Sequence, residues 1–165
     1  MNLNSYEELL SELDNEKDLL ICEMKFKSSA KGLYQDNVIA INKNIDTINE
    51  KRCILAEEFG HHKKTYGNIQ RLDTTENIKQ EYKARLFAFE NLISMEELAK
   101  CLNKGVTSQF ELANMLNVTE DFLIEALNVY KNKYGFNIIN TKYGSLIFEP
   151  RLMYFKELKG FDTNE

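Results

Sequence analysis

Cys53-Ile54-Leu55-Ala56-Glu57-Glu58-Phe59-Gly60-His61-His62 brings an acidic pair and both histidines of the chain within two helical turns. Thr47 and Glu50 form a capping-box pair ahead of it, and Gly67 stands where a helix would stop, so the spacing predicts one helix from about 47 to 66. On such a helix residues four apart share a face. Glu57 and His61 can therefore grip one ion while Glu58 projects beside it. In the H-E-x-x-H arrangement the i, i+4 side chains bind zinc and the intervening glutamate is the general base for the hydrolytic water. Here a glutamate, Glu57, stands in the first histidine position. Glu58 and His62 are also four apart, so His62 is a second candidate, as an additional ligand or a transition-state stabiliser.

The segment that follows is predicted to supply the missing ligand. Asp73 and Glu76 form another capping-box pair, and a helix through about Leu92 places Ile78, Tyr82, Leu86 and Phe89 on an apolar stripe. Its other face carries Glu81, Ala84 and Ala88, a carboxylate beside small residues that let helices approach closely. Packed against the Gly60 region, that face would bring Glu81 to the ion. The expected metal set is Glu57, His61 and Glu81, with Glu58 catalytic.

Upstream, Ser5 and Glu8 predict a short first helix ending near Asn15. Leu20 to Lys27 alternate as a half-buried strand with Leu20, Cys22, Met24 and Phe26 on one side. Gly32, Leu33-Tyr34, the turn Asp36-Asn37 and Val38-Ile39-Ala40-Ile41 read as a hairpin. Downstream, short helices are expected near 94–103, 108–116 and 119–133, and then a hairpin around Lys142-Tyr143-Gly144. Ser108 to Leu127 has a helix-turn-helix pattern. However, Glu120, Asp121 and Glu125 dominate its second helix, which opposes phosphate contact and favours a packing or partner-binding role.

A length of 165 residues with 43% hydrophobic and 28% charged residues fits an ordinary globular chain of one domain or a core with a small appendage. A net charge of −5 provides no global field for nucleic acid or anionic lipid. No leader pattern and no long apolar run occur, and Cys22, Cys53 and Cys101 are odd in number and far apart. A soluble cytoplasmic protein with reduced thiols is expected.

The stretch 53–62, followed by Thr65 and Gly67-Asn68-Ile69, resembles the phage-type branch of the ImmA/IrrE metallopeptidases. Lys31-Gly32-Leu33-Tyr34 and Asp36-Asn37-Val38-Ile39 are similar to that family's sheet segment. Glu81-Tyr82-Lys83-Ala84-Arg85-Leu86-Phe87-Ala88 is similar to its third-ligand helix. Phe110-Glu111-Leu112-Ala113, Val118-Thr119-Glu120 and Ala126 to Tyr134 look like the helical extension of the branch, so the likeness covers most of residues 6 to 135. The resemblance implies that Glu81 is the third ligand and Glu58 the base of a zinc-dependent endopeptidase encoded by a phage or mobile element. Its implied substrate is a DNA-binding transcriptional repressor, cleaved to release repression. The family's usual motif has histidine where this chain has Glu57, and an oxygen ligand there leaves manganese or another divalent ion as an alternative to zinc.

The expected fold is α+β: a small antiparallel sheet packed on a two-helix metal-binding core, with a C-terminal helical, helix-turn-helix-like and hairpin extension. The expected division is residues 1–93 for the peptidase core and 94–165 for the extension packed on it. The alternative function is a non-catalytic, metal-stabilised interaction or transcriptional regulatory module. Neither reading needs a membrane, and the first needs no direct contact with nucleic acid.

Overall fold

A computed structural model describes residues 3–64 and 75–156. The described chain is α+β, with contacts grouping it into two compact units. The first comprises the described residues up to Leu92 together with Asn117–Thr119; the second comprises Ile93–Leu116 and the described residues from Glu120 onward.

The first unit opens with α1, Ser5–Leu13. Its N-cap is Asn4, paired with Glu7 in a full capping box, one residue earlier than the expected Ser5 and Glu8. Asparagine and serine cap about equally well, so the registers compete closely. Tyr6, Leu9 and Leu13 are the buried residues of this helix. The strands β1 (Leu20–Met24), β2 (Gly32–Gln35) and β3 (Val38–Asn42) make one sheet in the order β1-β3-β2. The expected hairpin is present: β2 and β3 are antiparallel, and both turn residues, Asp36 and Asn37, take positive φ, of 48° and 61°. That is the demand of a two-residue turn matching the strand twist, and Asp and Asn meet it at low cost. β1 runs parallel to β3, which makes the sheet mixed rather than antiparallel throughout. Central β3 is buried from Ile39 to Asn42, which explains its unbroken apolar run. In β1 the alternation misassigns the inner face, because Leu20 and Met24 are exposed. Glu23, on the opposite side of the strand, instead meets Lys51 of the following helix at 3.0 Å.

The helices α2, Ile48–Lys64, and α3, Thr75–Leu92, pack on each other and complete this unit. Thr47 Oγ1 accepts from the backbone N–H of Glu50 at 3.2 Å, one half of the expected capping box. The expected end of α2 near Tyr66 and Gly67, and the Asp73 half of the next capping box, lie outside the described residues. Ile78 and Tyr82, expected on an inward stripe of α3, are exposed; its buried residues are Ala84, Ala88, Phe89 and Leu92. The small face is the packed one because Gly60 on α2 lies directly against the backbone of Ala84, an approach that larger side chains would block.

In the second unit, α4 (Met95–Asn103) and α5 (Gln109–Met115) are capped by Ser94 and Ser108, and α6 spans Glu120–Tyr134. The expected hairpin is β4 (Ile139–Thr141) with β5 (Gly144–Ile147), joined by a third strand, β6 (Met153–Phe155), that the sequence reading left out. Leu98, Leu123, Tyr130, Leu146 and Phe148 form the core of this unit, and the buried Tyr130 hydroxyl donates to the Ile93 carbonyl at 2.9 Å. All three cysteines are free thiols, with Cys53 and Cys101 buried. No described helix is long and apolar enough to cross a membrane.

Candidate functional site

The last two turns of α2 present the acidic pair and the two histidines, and the two histidines diverge. His61 turns to α3, where its Nε2 lies 3.4 Å from Glu81 Oε2. His62 turns to β2, with its Nδ1 3.1 Å from the Tyr34 hydroxyl and its ring stacked on Phe59 at 5.9 Å between centroids. Consecutive helical residues are about 100° apart, so one histidine serves each neighbour of α2. Glu57 Oε1 lies 3.8 Å from the Arg85 guanidinium of α3.

Glu58 is held between the helix and the edge strand. Burial pushes its pKa up to about 8, the neighbouring Glu57 and Glu81 carboxylates push the same way, and a hydrogen bond from the Tyr34 backbone opposes them. Burial likewise lowers the pKa of His61, against the pull of Glu81.

Of the expected metal set, only His61 and Glu81 stand at a spacing that one shared divalent ion would require. Two ligands about 2.0–2.1 Å from a zinc ion at a tetrahedral angle stand about 3.4 Å apart, and His61 Nε2 and Glu81 Oε2 are 3.4 Å apart. Among the described residues, no group of three His, Cys, Asp or Glu side chains is gathered closely enough to hold a metal. Glu57 shares the helical face of His61 but has its carboxylate directed at Arg85. Thus His61 and Glu81 are brought together with Glu58 nearby, whereas Glu57 and His62 are directed elsewhere.

Three contributors were not identified from sequence as parts of the site: Gly32, whose bare Cα leaves room for Glu58, Tyr34 and Arg85. The signal for Gly32 was its place within a strand, where glycine often marks a close backbone approach. Tyr34 and Arg85 carried no spacing signal of their own.

No curated protein and no solved structure gives a match. Residues 14–128, more than two-thirds of the chain, match the Peptidase_M78 family, described as the IrrE N-terminal-like domain. That span contains β1 to β3, α2 and α3, and hence every residue of the site just described. The chain belongs to the Peptidase_M78 family of IrrE N-terminal-like domains.

Proposed function

We propose that this protein is a zinc-dependent endopeptidase of the phage-type branch, with a DNA-binding repressor as its protein substrate. The observation that carries the reading is the convergence of His61 and Glu81 at a two-ligand spacing, with the Glu58 carboxyl beside them. His61 and Glu81 would hold the ion, and Glu57, on the same face as His61, would complete the set by exchanging its contact with Arg85. When bound, the ion supplies Lewis-acid polarisation of the scissile carbonyl and of water. Glu58 takes a proton from the attacking water on its carboxylate and passes it to the leaving amine. Positive charge held by His61 and Glu81 would favour the ionised form of Glu58 that this step needs. His62, hydrogen-bonded to Tyr34, stands on the strand side of the helix, where it would stabilise charge developing on a substrate laid along β2. The net charge of −5 favours a basic partner, as a DNA-binding repressor is.

Glu58→Gln keeps the side-chain shape and removes the proton acceptor, so metal content and folding should persist while hydrolysis falls by ~100-fold or more. The assay mixes untagged protein with the repressor encoded nearest its gene and analyses fragments with and without chelator. Loss of metal in Glu58→Gln would make Glu58 a ligand; cleavage at the parental rate would remove it as the base. A second reading is a metal-stabilised interaction or transcriptional regulatory module without hydrolysis, in which Glu57 keeps its contact with Arg85. Repressor binding with no fragments would select that reading.

A further inference from the structure

Gly32 lies on the edge strand β2, and its bare Cα faces α2. A Cβ added there would stand 2.5 Å from Glu58 Oε1, 2.8 Å from Glu58 Cγ and 2.6 Å from Ile54 Cγ2. Its backbone is outside the left-handed region, so any L-residue could adopt the conformation. What requires glycine is space, and the space is occupied chiefly by Glu58. Two residues along, on the same side of the strand by the two-residue period, Tyr34 reaches His62 with its hydroxyl, while its backbone hydrogen-bonds the Glu58 carboxylate. β2 therefore fixes Glu58 in two ways: a missing side chain makes room for the carboxyl, and a backbone donor orients it.

We infer that Gly32 is a positioning residue for Glu58, acting through the contact surface of β2 on α2. The inference rests on the reading of Glu58 as the base. A methyl group at position 32 would push the carboxylate away from the Tyr34 donor, and with it the proton acceptor from the reacting water. General-base transfer is sensitive to a displacement of this kind, because the acceptor must be within hydrogen-bond reach of the proton.

The test has two arms. In the first, thermal unfolding is compared for Gly32→Ala in the parent, in Glu58→Ala and in Glu57→Ala. Gly32→Ala should lower Tm by several degrees in the parent and in Glu57→Ala, and by much less in Glu58→Ala, where the Glu58 atoms it would obstruct are gone and only Ile54 Cγ2 remains. An equal loss in all three backgrounds overturns the inference, because the cost would then lie in Ile54 or in the strand. This arm reads folding alone, so it separates a failure of the contact from a failure of the peptidase reading. In the second, Gly32→Ala should retain its metal and cleave the repressor used above with kcat reduced at least tenfold and KM little changed. Parental kcat overturns the inference, and a parent protein that cleaves nothing removes the base whose placement is at issue. If Gly32→Ala does not fold, Gly32→Ala with Ile54→Ala relieves the second obstruction and is measured in its place, with the same outcomes deciding.

Discussion

Glu58 holds its proton well above the ordinary carboxyl range because burial and two neighbouring carboxylates disfavour its charge. Its folded pKa of about 8 exceeds the ordinary 4.5, so the folded chain binds the proton more tightly than the unfolded chain. The associated stability is full below the lower value and is lost as pH rises through the upper one. For metal-free protein, Tm should therefore decline across that window, and Glu58→Gln should flatten the decline; parallel profiles for the two proteins would remove the buried-carboxyl account. His61 and His62, both with lowered pKa, act in the opposite sense at acid pH, so the comparison between the proteins, not either curve alone, isolates Glu58. The two histidines are separable by metal content. His61→Ala should abolish metal binding, whereas His62→Ala should weaken cleavage and leave occupancy intact. The reverse result, measured by elemental analysis, would move the ligand frame by one residue to Glu58 and His62.

At the scale of elements, the decisive contact is Gly60 of α2 against the backbone of Ala84 in α3. Alanine at position 60 would gain about 1 kcal/mol in helix propensity. Its methyl group would meet a carbonyl that cannot rotate away, and overpacking of this kind typically costs about 1–3 kcal/mol. The expected outcome of Gly60→Ala is a net loss of stability together with weaker metal binding, because forcing the helices apart separates His61 from Glu81. Calorimetry and a metal titration check it, and a stabilised variant with unchanged affinity would refute it. This contact was legible in the sequence as small residues beside Glu81, as was the Asp36-Asn37 turn, because both depend on what single residues can fit. The inner face of β1 was not legible, since alternation separates two faces without saying which is covered, and the Lys51–Glu23 pair lies with the polar one. Ile78 and Tyr82 misled for a related reason: their stripe is more apolar, but the small face alone admits Gly60. β6 was missed because three residues, Met153 to Phe155, are too few to show a period. Nor did helical spacing show that Glu57 faces Arg85, a contact set by the neighbouring helix.

At the scale of the whole molecule, an expected boundary at residue 93 omits a segment that the site-bearing unit uses. Asn117–Thr119 belongs with that unit although it lies between α5 and α6. The Val118 carbonyl accepts from Asn49 Nδ2 at 3.3 Å, and the Asn117 carbonyl accepts from Arg52 at 3.1 Å. Val118 is 1% exposed, and Thr119 hydrogen-bonds the buried Cys53 thiol, one turn before Glu57 on α2. A fragment of residues 1–93 would lose both carbonyl acceptors, the Thr119 partner and the apolar cover that Val118 supplies. Each intramolecular hydrogen bond lost to water costs roughly 0.5–1.5 kcal/mol net, and the lost apolar cover adds to this against the roughly 5–15 kcal/mol that stabilises a typical domain. The fragment should accordingly unfold at a lower temperature and less cooperatively than the full chain, and bind metal more weakly through the loosened α2. Within the full chain, Val118→Ala should lower Tm in the same direction by a smaller step, because it removes apolar contact while leaving the backbone acceptors in place. Circular dichroism melts of the three proteins, each with and without zinc, decide the matter: a 1–93 fragment as stable and as cooperative as the full chain would show that the 117–119 segment contributes nothing to the site-bearing unit.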